Sequence, residues 1–208
     1  MKPLLLFGSG GHSRPVVATL KALNRWDLIG IIDINYQGQV EEILGVNVLG
    51  SDELLKNFKP DDTSIFLAIG KNDVRKKIFT KLTGQGYEFP NIIHPKALVD
   101  PSAEIDFGNF VGPFSQIGPS VKIENANIIN SYSNIEHETK IGSFCQIAPG
   151  AIICGRSELG DQILVGANAT IIEKKIIASH TTIGAGSVIT KSIFEKNQTI
   201  VGVPGKPQ

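Results

Sequence analysis

The sequence predicts two architectures in one chain: an α/β domain on a parallel sheet, then a parallel β-helix. Two observations carry this. Up to about residue 90, apolar runs alternate with helical patterns, and from Val99 onward every sixth residue is aliphatic. A third sets the scale: 208 residues with 41% hydrophobic and 19% charged content describe a globular chain with room for two cores.

In the first part, "KPLLLF" reads as a strand and "GSGGHS" as a glycine-rich turn. Pro15 to Leu23 fit a helix, with Ser13 as its cap and Pro15 in its first turn. "DLIGIIDI" is a second strand, and "SDELLKNF" a helix capped by Ser51. "TSIFLAIG" is a third strand, and "NDVRKKIFTKLTGQG" a helix that ends at glycine. Strands alternating with helices imply a parallel sheet.

The second part repeats with period six. Val99, Ile105, Val111, Ile117, Ile123, Ile129, Ile135, Ile141, Ile147, Ile153, Leu159, Val165, Ile171, Ile177, Ile183 and Ile189 form an unbroken series. Glycine often follows the aliphatic, and a small residue often stands four places after it, as at Ser115, Ser133, Cys145 and Ala169. That period suits neither a helix nor an ordinary strand. It suits a prism of short parallel strands in which three hexads close one coil and residues 18 apart stack, a little over five coils in all. The aliphatic fills the interior, and the small residue lets the wall approach the axis. Prisms of this hexapeptide-repeat type are left-handed. "EKKII" at 173–177 reads as an irregular corner. "IIHPKALVDP" joins the two parts, which we place at residues 1–92 and 93–208.

Twenty basic and twenty acidic residues give a formal net charge of zero, which argues against nucleic acid or an anionic membrane as partner. No apolar run approaches the ~20 residues of a membrane span. The run Leu4 to Phe7 is too short for a signal-peptide core, so it reads as a buried first strand. Two cysteines, Cys145 and Cys154, make neither a disulfide framework nor a metal site, and the expected compartment is the cytoplasm.

"NIEHETKIG" places His137 between Glu136 and Glu138. A histidine between two acids on a surface is usually only solvated. The repeat changes its weight. His137 falls at the third place of its hexad, at an outward or corner position, and one coil later stands Gly155. Neighbouring strands lie about 4.8 Å apart, so a base and a glycine amide should share one edge. One can take a proton, and the other can hydrogen-bond a developing oxyanion: the two needs of acyl transfer. Either glutamate could orient the imidazole, and spacing does not choose between them.

"GSGGHS" follows a strand and opens a helix, as in nucleotide-binding βαβ units. Gly8 and Gly10 fit G-x-G, but Ser13 stands where a third glycine would be. Asp33 ends the next strand near where a ribose-binding acid lies. A region of only about 90 residues is half a dinucleotide fold, so a mononucleotide suits it better than NAD. The first domain is accordingly expected to be half-Rossmann-like.

On "LLLFGSGGHS", "FLAIGKNDVRKKI", "NIIHPKALVDPSA", "IINSYSNIEHETKIGSFCQIAPGA" and "IVGVPGKP", the chain resembles the sugar O- and N-acyltransferases with a left-handed β-helix. These include the sialic acid O-acetyltransferases. The resemblance is strongest to enzymes that N-acetylate UDP-linked 4-amino sugars in bacillosamine-type synthesis. It implies His137 as general base, Glu138 as its partner, Asn130 lining the site and Gly155 as the amide that meets the thioester carbonyl. Glu136 is then a surface residue. The resemblance further implies acetyl-CoA as co-substrate, with Gln146, Ala167, Ala185, Pro204 and Lys206 along its groove, and no metal. It implies a homotrimer with active sites between subunits. Gly8, Ser9, Gly10, Gly11, His12, Asp33, Ile34, Gly70, Lys71 and Asn72 match the sugar-nucleotide site. Departures are Gln146 where many members carry a second histidine, Ile34 where some have a second acid, and "VPGK" for "VPAK". The expected activity is N-acetylation of a UDP- or dTDP-linked amino-dideoxy sugar. O-acetylation of a nonulosonate such as sialic acid, or a non-catalytic β-helix binding protein, are the alternatives.

Overall fold

A computed structural model describes residues 3–208. The chain divides after Pro95 into two compact units, three residues beyond the boundary expected from sequence.

In the first unit, β1 (Pro3–Phe7), β2 (Asp27–Ile32), β4 (Val46–Gly50) and β5 (Ser64–Leu67) run parallel, and the short β3 (Glu42–Ile43) pairs antiparallel with β4. The order is β3-β4-β2-β1-β5. Strand β1 therefore lies between its successor in the chain and β5, and the winding reverses there. Ligands of open α/β sheets bind at such switch points, beyond the carboxyl ends of the strands. Continuous apolar burial explains the central strands: Leu4, Leu5, Leu6, Ile31, Ile32 and Ile65 are fully buried.

Helix α1 (Ser13–Leu23) starts two residues earlier than expected. Ser13 is its first residue rather than its cap. Its hydroxyl bonds the Gly10 carbonyl across the turn, and His12 takes the cap position without a side-chain bond to the helix start. Helix α2 (Asn72–Thr83) ends at Gly84. Residues Asp52–Asn57 form a 3-10 helix rather than an α-helix, and the Ser51 side chain makes no cap bond. Six residues leave too little length for the α pattern to propagate. The β3–β4 hairpin was not expected. Its turn uses Leu44 and Gly45, both at positive φ, as two-residue hairpins demand.

The second unit is a left-handed parallel β-helix. Two-residue strands stack into three walls, each strand pairing with the one 18 residues on, as Gln116↔Asn134 and Asn134↔Ile152 do. The first wall runs from Leu98–Val99 to Val188–Ile189, and the second from Glu104–Ile105 to Ile176–Ile177. The third includes the strands from Phe110–Val111 to Thr182–Ile183 and closes with the hairpin of Thr199–Val201 and Lys206–Pro207. From Val111 to Ile189 every sixth-position aliphatic is buried, while Val99 and Ile105, in the first coil, are half-buried.

The corners have one recipe. From Ile105 to Ile183 the third residue after each aliphatic turns left-handed, as at Phe114, Tyr132, Glu138, Arg156 and Asn168. This conformation disfavours L-residues, and inter-coil bonds hold it, as when Glu138 donates its amide to Pro119 and Arg156 to His137. Buried hydroxyls in the small-residue slot bond backbone carbonyls, either three residues back, as Ser115 to Gly112 and Ser133 to Asn130, or on the next coil, as Thr139 to Cys154 and Ser157 to Ile172. "EKKII" is not an irregular corner. Lys174 turns like its equivalents, and Ile176–Ile177 pairs in register with Glu158–Leu159. Lys175 is tolerated in the small-residue slot because it stands on the last full rung of its column, where it stays half-buried.

Candidate active site

In the first unit, the carboxyl ends of β1, β2 and β5 surround a cavity of about 500 Å³. Gly8, Gly10, Gly11, His12, Asp33, Ile34, Gly70 and Lys71 line it; Ser9 and Asn72 stand beside it rather than among its lining residues. Gly8 is required by the fold: its φ is +115°, and a Cβ would lie 2.9 Å from the Ala68 carbonyl oxygen. Gly10, Gly11 and Gly70 are not. None needs a positive φ, and a Cβ on each meets nothing within 4 Å. Their bareness leaves backbone amides open to whatever enters. The cap residues of α1 and α2, His12 and Lys71, both line this space, so two helix amino termini and the Lys71 charge favour an anionic group here.

Asp33 serves mainly the turn. Its Oδ2 accepts from the Ser9 amide at 2.6 Å and the Ser9 hydroxyl at 2.9 Å, and its Oδ1 from the Asn35 amide at 2.8 Å. Burial opposes its ionisation, but these bonds prevail and hold its pKa below the ordinary value. Sequence reasoning passed over Arg75. Fully buried, it donates to the Ile69 and Gly70 carbonyls at 2.8 and 2.9 Å and to Asn72 Oδ1 at 2.8 Å, which pins the Gly70-Lys71-Asn72 turn. Burial, and then the Arg75 charge, push His12 down to about 3, so its imidazole enters the cavity wall neutral.

In the second unit, His137 and Glu138 occupy the corner between the first and second walls. His137 Nδ1 lies 3.0 Å from Glu138 Oε2, which assigns the proton to Nδ1 and leaves Nε2 as a lone-pair acceptor. One coil on, Gly155 meets the same imidazole: a Cβ there would stand 2.6 Å from Nε2 and 2.7 Å from Cε1. Arg156, also missed in the sequence, donates from Nε to the same Glu138 oxygen at 2.8 Å. Bonds from His137 and then from Arg156 keep the Glu138 carboxyl ionised below its ordinary range. Glu136 is half-buried and accepts from the Asn134 side-chain amide nitrogen at 2.7 Å.

Amide bookkeeping separates the corners. Between the second and third walls, the amides of Phe107, Asn125, Ser143 and Asp161 donate to side chains one coil later. The amides of Gly155, Ala167 and Ala185 have no acceptor among the described residues. These three are the backbone donors expected along the acyl-donor path. They do not share an edge, however. Gly155 lies with His137, whereas Asn130, Ala167 and Ala185 lie where the third wall turns into the first, with Gln146 on the third wall. One wall of extended chain, up to ~20 Å for six residues, separates the two corners. Asn130 Oδ1 is engaged by the Ser131 amide at 2.9 Å. Pro204 and Lys206 are exposed in the closing hairpin. Gly205 between them suits its place, since a Cβ would come within 2.7 Å of Ile189 Cδ1.

No group of three or more His, Cys, Asp or Glu among the described residues could hold a metal ion, and no described helix is long and apolar enough to cross a membrane.

The chain is similar to known sugar acetyltransferases. Residues 3–82 match the family model of the PglD N-terminal domain. Over 108 residues the chain is 29% identical to the UDP-N-acetylbacillosamine N-acetyltransferase of Bacillus subtilis (strain 168). That match spans half of this chain and 49% of the relative. The acetyltransferase domain of PglB from Neisseria gonorrhoeae FA1090 superposes with a TM-score of 0.93 at 29% identity, over 100% of both chains. The same domain has been solved in complex with acetyl coenzyme A. PerB from Caulobacter crescentus, solved with CoA and GDP-perosamine, also gives 0.93 at 29% identity, over 99% of this chain and 97% of that one. By its amino-terminal sequence match and its structure over the whole length, the chain is similar to the bacillosamine-type sugar acetyltransferases.

Proposed function

We propose that the chain transfers the acetyl group of acetyl-CoA to the 4-amino group of a nucleotide-linked amino-dideoxy sugar. The observation that carries this is the pairing of His137 with Gly155. An imidazole with a free Nε2 stands against a glycine whose amide has no acceptor. The amine lone pair attacks the thioester carbonyl while His137 Nε2 takes the amine proton. The Gly155 amide hydrogen-bonds the oxygen as negative charge gathers on it. Collapse then expels the CoA thiolate, which receives the proton from the imidazolium. Glu138 stabilises that imidazolium and fixes its tautomer. The reaction needs neither a metal nor an acyl-enzyme.

The glycine-lined cavity of the first unit suits the nucleotide, whose diphosphate meets two helix amino termini and Lys71. The two-corner division of the candidate residues supports a homotrimer in which His137 and Gly155 of one subunit face the Asn130, Ala167 and Ala185 edge of the next. Gln146, on the third wall, supplies a neutral amide to that groove where many members have histidine.

The test follows CoA thiol release by purified protein given acetyl-CoA and a panel of UDP-, dTDP- and GDP-linked 4-amino sugars, with sialic acid as hydroxyl acceptor. Turnover of a 4-amino sugar that falls roughly 10²–10⁴-fold in His137→Ala is expected. Turnover of sialic acid alone, or full activity in His137→Ala, refutes the reading.

A further inference from the structure

One contact of the candidate dyad is assigned by neither the family resemblance nor the reaction. Arg156 stands one coil, 18 residues, beyond Glu138 and grips the dyad at two points. Its backbone amide donates to the His137 carbonyl at 3.0 Å, and its Nε donates to Glu138 Oε2 at 2.8 Å, the oxygen that also receives His137 Nδ1. Both Glu138 and Arg156 hold left-handed turns, with φ of 58° and 59°, so their side chains leave from equivalent points of successive coils.

We propose that Arg156 is a positioning residue for the acetyl transfer: it holds Glu138 Oε2 against His137 Nδ1 and thereby aims Nε2 at the reacting amine. This rests on the reading of His137 as base.

The geometry explains why a second anchor is needed. Glu138 is exposed and adjacent in sequence to His137, with side-chain exposures of 50% and 46%. A carboxylate on three rotatable bonds in water populates many rotamers. An imidazole partner alone would hold it for part of the time only. The Arg156 Nε approaches the same oxygen from the next rung, so only rotamers that present that oxygen toward the corner satisfy both donors. Below the dyad the equivalent residue is Ser120, and above Arg156 it is Lys174. Neither is hydrogen-bonded to Glu138 in the structure, so Arg156 is the only inter-coil side-chain anchor of this carboxylate among the described residues.

An exposed ion pair of this kind contributes little to folding stability. A surface pair and a positioning residue therefore make different predictions. The experiment compares kcat, KM and thermal unfolding for Arg156→Asn, which tolerates the left-handed turn but is too short to reach, and for Arg156→Lys. It adds Glu138→Gln alone and combined with Arg156→Asn. Positioning predicts a kcat loss in Arg156→Asn of ~10- to 100-fold, the scale of a misplaced catalytic group. KM and unfolding temperature stay unchanged, and Arg156→Lys recovers part of the loss. Because Arg156 acts through Glu138, Arg156→Asn adds nothing in the Glu138→Gln background. Normal kcat in Arg156→Asn, a loss confined to KM, or losses that multiply in the double variant each overturn the proposal. An active His137→Ala overturns the catalytic reading beneath it, whereas an inactive His137→Ala beside a fully active Arg156→Asn overturns only the role of Arg156.

Discussion

The Nε2 side of the His137 imidazole occupies the space that a side chain on Gly155 would need, 2.6 Å from an ideal Cβ. Gly155 is not in a conformation reserved for glycine, so the backbone alone would accept alanine there. The ring forbids it. Half-exposed, His137 can swing out into water at small cost to the fold. Gly155→Ala should therefore spare thermal stability yet lower kcat by about 100-fold, because the base leaves its place. Turnover and melting of the variant decide this. Normal turnover would show that the contact does not orient the base.

The two corners give a second test. If each site joins the His137 edge of one subunit to the Ala185 edge of the next, two dead variants should rescue each other when they assemble together. His137→Ala removes the base. Ala185→Trp projects from an exposed turn and blocks the other edge. Neither is active alone. Co-expressed and randomly mixed in closed rings, they pair an intact edge from each in roughly a quarter of the sites, with activity to match. An inactive mixture of confirmed mixed assemblies counts against a site shared between subunits.

Gly10, in the glycine turn, makes a third case. Its Cβ would meet nothing within 4 Å, so the folded chain does not demand a glycine there. If the cavity takes a diphosphate against the turn's amides, a methyl group intrudes on the ligand and not on the protein. Gly10→Ala should leave the unfolding midpoint unchanged and raise KM for the nucleotide sugar, with KM for acetyl-CoA unaltered. An equal effect on both substrates would mean that the turn does another job.

Much of this was legible because a β-helix maps sequence distance onto spatial distance with one constant. The offset that stacked Gly155 on His137 would have stacked Arg156 on Glu138, so Arg156 was readable by the same step and was overlooked because charge at a corner looks like solvated surface. Arg75 was not readable. Its acceptors are backbone carbonyls of a turn, and no side-chain pattern announces that a helical arginine is buried among them. The contact of Glu136 with Asn134 likewise depends on side-chain direction at a corner, where the alternation of an ordinary strand no longer holds. Caps were misread for a local reason: Ser13 spends its hydroxyl on Gly10, inside the glycine turn, instead of on the helix start.

His12 supplies the last prediction, on stability against pH. Burial and the Arg75 charge depress its pKa from the ordinary 6.5 to about 3. A histidine depressed in the folded state binds its proton only when unfolded across that interval. Between pH 6.5 and about 3 the unfolded chain thus carries more protons, and folding stability declines as pH falls. Above pH 6.5 His12 contributes no pH dependence, since both states are neutral there. The slope at full effect is ~1.4 kcal/mol per pH unit, the linkage value for one proton. Urea unfolding of the wild type should lose stability from pH 7 to pH 5, followed through the Trp26 fluorescence of the first unit. His12→Asn, which keeps a polar group in the cavity wall but cannot titrate, should flatten that decline. An equally steep decline in the variant would assign the acid sensitivity to other groups and leave His12 protonated in the fold.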